Sequence, residues 1–204
     1  MIGNGTYGNN VMVNVDPNYF GFGIKNNMMI QAMALQQNAG KIRLELERNV
    51  NKSNNPQDVL LNENNLVCKL GMSNSSNVIT FNVKYPMTFT LNSTRKADTN
   101  DFKQGWVNIP QSNELALETT MLQNLSQNFL EARLSANFFT HVKSTQNATG
   151  NMLHYFAGRM IDENFILVEL KQNANGSLAM LVKSNLKEAL DGFVKTINYL
   201  LTSN

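Results

Sequence analysis

Val78-Ile79-Thr80-Phe81-Asn82-Val83-Lys84-Tyr85 alternates apolar and polar side chains, and Pro86 ends the run. A period of two is the mark of a strand that turns one face toward a core. The same alternation recurs upstream in Tyr19 to Ile24, in Lys41 to Arg48 through Ile42, Leu44 and Leu46, and in Leu66 to Met72 through Cys68 and Leu70. Clusters of Asn, Ser, Gly and Pro at 49–57 and 73–77 separate these runs. Short strands spaced by such turns predict an antiparallel sandwich over residues 1–85.

Beyond Pro86 the pattern becomes mixed. Met87, Phe89 and Leu91 predict one more strand. Asp98 is placed to cap a helix running through Phe102 toward Trp106, with Pro110 as its stop. A second helix is expected within Leu122 to Leu134. Phe138 to Lys143, Met152 to Asp162, Asn164 to Lys171 and Ser177 to Val182 read as four consecutive strands, with a tight turn at Asp162-Glu163. Leu186, Ala189, Leu190, Phe193, Val194, Ile197, Leu200 and Leu201 recur at helical spacing, and Asn185 with Glu188 has the spacing of a capping box. The chain is therefore expected to be α+β, with a strand-only subdomain 1–85 and an α-plus-β subdomain 86–204.

Composition narrows the function classes. A net charge of +2 over 204 residues, with Lys and Arg scattered, does not make a nucleic-acid surface. Cys68 is the lone cysteine and cannot form an internal disulfide, which fits a reducing compartment. No signal peptide or bilayer-length apolar run is present, so the expectation is a soluble protein without direct membrane insertion. The sequons at Asn92, Asn124 and Asn147 follow from the abundance of Asn. Gly3-Asn4-Gly5-Thr6-Tyr7-Gly8 spells a dinucleotide loop but has no strand before it. His141 and His154 fall on predicted strands without metal-ligand spacing, and no Ser-His-acid order emerges. These readings predict no cofactor, no metal and no enzymatic activity.

What remains is binding. Trp106, the single tryptophan, lies in Gly105-Trp106-Val107-Asn108-Ile109-Pro110-Gln111-Ser112-Asn113-Glu114-Leu115. Read from its residue type, it either fills a core or anchors a ligand. The stretch Trp106 to Leu115, the segment Gly150 to Leu170 with Tyr155 and Glu169, and the amphipathic C-terminal helix together resemble the appendage (ear) domain of clathrin adaptor beta subunits, the beta-adaptins. The likeness runs from about Tyr19 to the C-terminus, with two-residue insertions near 73–77 and 145–148.

The resemblance implies a β-sandwich followed by a platform, an antiparallel sheet with flanking helices. It also implies a role in vesicle-mediated transport. The platform would bind helical Phe-x-x-Phe/Leu-x-x-x-Arg motifs of cargo-selective adaptors and accessory proteins, epsin-like or arrestin-like, with clathrin and the other adaptor subunits as further partners. The protein would then be cytoplasmic and peripheral on clathrin-coated membranes through its complex. Trp106, Glu114, Tyr155 and Glu169 match the family's groove positions. Val107 stands where the family has Lys; its two groove-edge arginines fall at about Thr99 and Ser144, with Lys143 the nearby substitute. An Arg-binding end with a weaker preference for acidic ligand residues at the other end is therefore expected. Val78 matches the family's second site, on the side of the sandwich, where Thr80 replaces an expected Tyr. The family has one or two strands before the region matching Tyr19, and Met1 to Asn10 does not look able to supply them, which predicts a sandwich lacking its first strands. The alternative reading is a structural α+β module without a specific peptide site.

Overall fold

The computed structural model describes residues 10–24, 29–31, 45–48, 53–57, 65–72, 76–120, 125–173 and 177–203. The chain divides into two compact units, Met1–Tyr85 and Pro86–Asn204.

In the first unit, β1 (Asn10–Val15), β3 (Met29–Gln31), β5 (Asn65–Met72) and β6 (Val78–Lys84) form an antiparallel sheet in the order β3-β1-β5-β6. Two further strands, β2 (Phe22–Ile24) and β4 (Leu46–Arg48), make a second antiparallel pair. Val13 and Val15 of β1, Ile24 of β2 and Leu66 and Cys68 of β5 bury together, so the two sheets share one core. Asn18 ties the β1–β2 turn: its amide donates to the carbonyl of Phe22 at 2.8 Å and its Oδ1 accepts from Phe22 N at 2.9 Å. Gly21 there has φ 68°, a value that favours glycine.

Three expectations are corrected in this unit. A strand does precede Tyr19: β1 sits between β3 and β5, and its alternate Asn residues blend into an Asn-rich background. The strand expected from Tyr19 is confined to Phe22–Ile24, because Tyr19 and Phe20 lie in the turn. Ile79, Phe81 and Val83 are exposed rather than half-buried, as is every residue of β6, which has one neighbouring strand among the described residues. The strand expected at Lys41 to Arg48 is described only from residue 45 onward, and the glycine-rich segment 3–8 lies outside the described residues.

The second unit carries β7 (Glu114–Thr120), β8 (Thr140–Gln146), β9 (Met152–Arg159), β10 (Phe165–Gln172) and β11 (Ser177–Ser184). They form an antiparallel sheet in the order β7-β11-β10-β9-β8. Helix α1 (Thr99–Asn108) packs against β9 and β10. Helices α2 (Gln127–Ser135) and α3 (Leu190–Thr202) cover the opposite face, where Thr119 of β7 donates to Asn198 of α3 at 3.0 Å. Leu190, Phe193, Val194, Ile197 and Leu201 make the buried stripe of α3 at i, i+3, i+4 spacing. This is the α-plus-β unit that the sequence pattern predicts after the sandwich, with the flanking helices that the resemblance implies.

The cap of α1 forms as predicted. Asp98 accepts from the backbone N–H groups of Asn100 and Asp101 at 2.7 and 2.8 Å, and Asp101 accepts in return from Asp98 N at 3.0 Å. Ile109 ends the helix just before Pro110. Elsewhere the local readings fail in identifiable ways. Met87–Thr90 is a 3-10 turn, not a strand, closed by the Thr90 hydroxyl donating to Met87 O at 2.6 Å, and Leu91 alone bridges to Met160. The capping box at Asn185 does not form, because Asn185 Oδ1 accepts from Phe165 N at 3.1 Å instead. Strand β7 was not anticipated. Glu114, Ala116 and Glu118 alternate with Leu115, Leu117 and Thr119, but Glu, Ala and Leu are also strong helix formers and mask the period.

Candidate functional site

Strand register arranges the α1 face of the sheet into rows. Glu114, Lys183, Leu167 and Ala157 lie side by side in the first row. The second row is Ala116, Leu181, Glu169, Tyr155 and Lys143; the third is Glu118, Ala179, Lys171, Leu153 and Thr145. Helix α1 lies on Leu167 and Ala157, both fully buried, together with Phe102 and Ile109. It comes so close that a Cβ on Gly105 would stand 2.8 Å from Leu167 Cδ1, so glycine at 105 sets the depth of the helix.

That close seat places Trp106 at the border of the second row. The indole stacks on Phe102 at 5.1 Å and 18° and meets the Tyr155 ring edge-on at 6.0 Å and 85°. Phe102 and Tyr155 also meet edge-on at 5.5 Å. Trp106 is half-buried, so one part of the ring serves the core and another meets solvent. Burial, followed by the neighbouring Glu169 carboxylate that also hydrogen-bonds it, pushes the Tyr155 phenol up to about 12. Tyr155 therefore stays protonated and donates toward Glu169.

Lys183 was not singled out in the sequence. Its Nζ lies 4.9 Å from the centre of the Trp106 ring and 3.0 Å from Glu114 Oε2, with the side chain only 10% exposed. A desolvated ammonium over an indole is a favourable contact. The alternation Ser177, Ala179, Leu181, Lys183 was the available signal, but strand pairing was needed to set its face beside Glu114. Glu114, Lys183, Trp106, Tyr155 and Glu169 thus form one continuous chain of contacts. Beyond it, Ala116, Glu118, Glu169, Lys171, Ala179 and Leu181 line an open groove of about 250 Å3.

The remaining candidates distribute as follows. Val107 projects from α1 with 82% of its surface exposed. Lys143 is exposed on β8, directly opposite Tyr155. Strand β8 has a bulge between His141 and Lys143, with Val142 the extra residue, and this sets Ser144 opposite His154 on the other face of the sheet. Of the neighbours Lys143 and Ser144, it is accordingly Lys143 that lies on the groove face. Thr99 opens α1. Val78 belongs to the first unit, where it is exposed opposite Gly71.

The far face of the same sheet holds a polar network that spacing did not suggest. Glu131 Oε1 approaches His141 Nδ1 at 3.4 Å, His141 Nε2 meets the Ser144 hydroxyl at 2.9 Å, and that hydroxyl meets His154 Nδ1 at 2.8 Å. His154 is buried, and its Nε2 has no hydrogen-bond partner among the described residues. Burial, reinforced by the nearby His141, holds its pKa below the ordinary histidine value. The single Ser144 hydroxyl is committed to two imidazoles, an arrangement that satisfies buried polar atoms. Cys68 is buried, with its thiol pushed up by burial, the state of an inert core cysteine. Among the described residues no cluster of three His, Cys, Asp or Glu side chains could hold a metal, and no helix is long and apolar enough to cross a membrane.

The family described as beta2-adaptin appendage, C-terminal sub-domain, matches residues 92–201, the stretch that carries α1, the five-stranded sheet, α2 and nearly all of α3. A search of curated proteins found no match.

Proposed function

We infer the function of this chain from its family: it belongs to the beta2-adaptin appendages through their C-terminal sub-domain. Appendages of this family are protein-interaction modules of clathrin adaptors. The chain acts in that setting as a docking platform, without chemistry of its own, in the cytoplasm at clathrin-coated membranes.

The groove beside α1 takes amphipathic helical segments of the form Phe-x-x-Phe/Leu-x-x-x-Arg, carried on epsin-like or arrestin-like cargo adaptors and accessory proteins. The observation that carries this reading is the Trp106–Tyr155 aromatic pair standing beside the Glu169 carboxylate at the margin of an open groove. Aromatic side chains one helical turn apart on a ligand would bury against Trp106 and Tyr155, each contributing roughly 1.5–3 kcal/mol before ordering costs. A guanidinium would meet the carboxylate end through a charge-assisted hydrogen bond. Because the ligand must fold as it binds, the net affinity is on the order of micromolar. Lys143, opposite Tyr155, supplies the one strand cation of the second row and leaves a modest preference for acidic ligand residues there. Val107, an aliphatic residue where the family has a cation, adds apolar surface.

The reading is tested by titrating the purified chain with a fluorescent Phe-x-x-Phe-x-x-x-Arg peptide. Saturable binding that weakens by about 2 kcal/mol or more in a folded Trp106→Ala variant is the expected result. Equal binding by wild type and variant, or none by the wild type, would leave a structural module without a peptide site.

A further inference from the structure

We propose that Glu131, His141, Ser144 and His154 form a proton-ordered switch on the far face of the sheet: charging His141 reverses the Ser144 hydroxyl, changes the tautomer of His154 and slackens the β8 bulge that turns Lys143 to the groove face.

The single hydroxyl proton is what couples the two rings. Ser144 Oγ lies 2.9 Å from His141 Nε2 and 2.8 Å from His154 Nδ1, its hydrogen-bond partners among the described residues. A hydroxyl gives one hydrogen and accepts others, so one ring receives the Ser144 proton and the other supplies its own. Neutral rings can satisfy this in two orders. In the first, His141 Nδ1–H points at Glu131 Oε1, 3.4 Å away, Ser144 donates to His141 Nε2, and His154 Nδ1–H donates to Ser144. Only the lone pair of His154 Nε2 is left over. In the reverse order a lone pair of His141 faces the carboxylate, and His154 carries a buried N–H without an acceptor among the described residues. Both are costly, so the first order holds while the rings are neutral.

One added proton undoes it. Burial, reinforced by His141, holds the His154 pKa below the ordinary value, whereas His141 is partly exposed and faces Glu131. The proton therefore settles on His141, whose Nε2 becomes a donor. Ser144 then turns to His154 Nδ1, and the His154 hydrogen moves to the buried Nε2, where no acceptor meets it. The charged state thus clamps β8 less firmly than the neutral one. Other charges on this face are engaged elsewhere. Arg133 of α2 donates to Ser203 O at 2.8 Å, Asp191 and Lys195 of α3 pair with each other, and β10 sets apolar Leu170 opposite His154. Glu131 is held by Gln127 Nε2 at 2.6 Å.

His141 and Ser144 bracket the bulge at Val142, and Lys143 lies between them, opposite Tyr155. The switch thereby reaches the groove from behind the sheet.

The chain has two histidines, so long-range proton-to-nitrogen NMR on the full chain follows each ring. At about pH 7.5 both rings should carry their hydrogen on Nδ1. Toward about pH 5.5, His141 should charge, His154 should pass uncharged to the Nε2–H form, and the Lys143 backbone amide should shift, all with one midpoint. Glu131→Gln should move the three changes together to lower pH. Ser144→Ala should let His141 titrate while the other two signals stay still. Should Ser144→Ala fail to fold, Glu131→Gln, at a partly exposed helix position, decides. His154 in the Nε2–H form at pH about 7.5, His154 charging before His141, separate midpoints in the wild type, or a Lys143 amide that does not respond overturns the switch. None of these signals involves a peptide, so the result stands apart from the groove reading.

Discussion

Gly105 shows how far one missing side chain can reach. Alanine there gains about 1 kcal/mol in helix propensity, but its methyl would press on the fully buried Leu167 at 2.8 Å. Overpacking of this kind costs about 1–3 kcal/mol, so Gly105→Ala should lower stability by on the order of 1 kcal/mol in urea unfolding. It should also lift Trp106 away from Tyr155 and weaken peptide binding. His154 makes a second prediction at this scale. Its native pKa lies below the ordinary value of 6.5, so the unfolded chain binds the proton more readily. Stability is therefore full above about 6.5 and falls as pH drops through that value toward the native pKa. Urea midpoints measured from pH 7.5 to 5.5 should decline, and the decline should shrink in His154→Gln. Trp106 itself was legible as either core or anchor, and its half-buried seat packs part of the ring on Tyr155 and leaves part to solvent. Lys183 was not legible, because a lysine on an alternating strand reads as solvated until pairing places it beside Glu114.

Elements governed by local chemistry could be read directly, and those governed by pairing could not. The capping box at Asp98 involves residues three apart, and helix α1 begins and ends where the sequence predicts. Asp98→Ala should therefore cost about 1 kcal/mol, seen as a lower thermal midpoint. Asp101→Asn should cost more, since Asp101 also pairs with the scarcely exposed Arg159 at 2.6 Å. Arg159 in turn reaches Glu163 in the β9–β10 turn at 2.9 Å, tying that turn to the start of α1. Asn185 had equally good capping credentials, yet a backbone N–H twenty residues away took its side chain. Strand β8 marks the limit of pattern reading. Strict alternation puts His141 and Lys143 on one face, but the bulge at Val142 parts them, sending Lys143 to the groove and His141 to the Ser144–His154 network. No count along the sequence reveals one extra residue in a strand.

At the scale of the whole molecule, the second unit has its own sheet, helices and core, and the family match falls within it. Every residue of the groove comes from this unit. A fragment of residues 86–204 should therefore unfold in one cooperative transition and bind the helical peptide within about twofold of the full chain; a molten or non-binding fragment would contradict this. The change of period at Pro86 was visible because a sandwich and a mixed sheet place apolar residues at different spacings, whereas the exposure of β6 depends on what covers its faces, which alternation alone does not tell. The molecule also carries a built-in reporter. With a single indole in 204 residues, lying between a lysine ammonium and a tyrosine ring at the groove's margin, its intrinsic emission comes from one address. Ligand screening can proceed on unlabelled protein, and a compound that leaves the spectrum unmoved has not reached the groove.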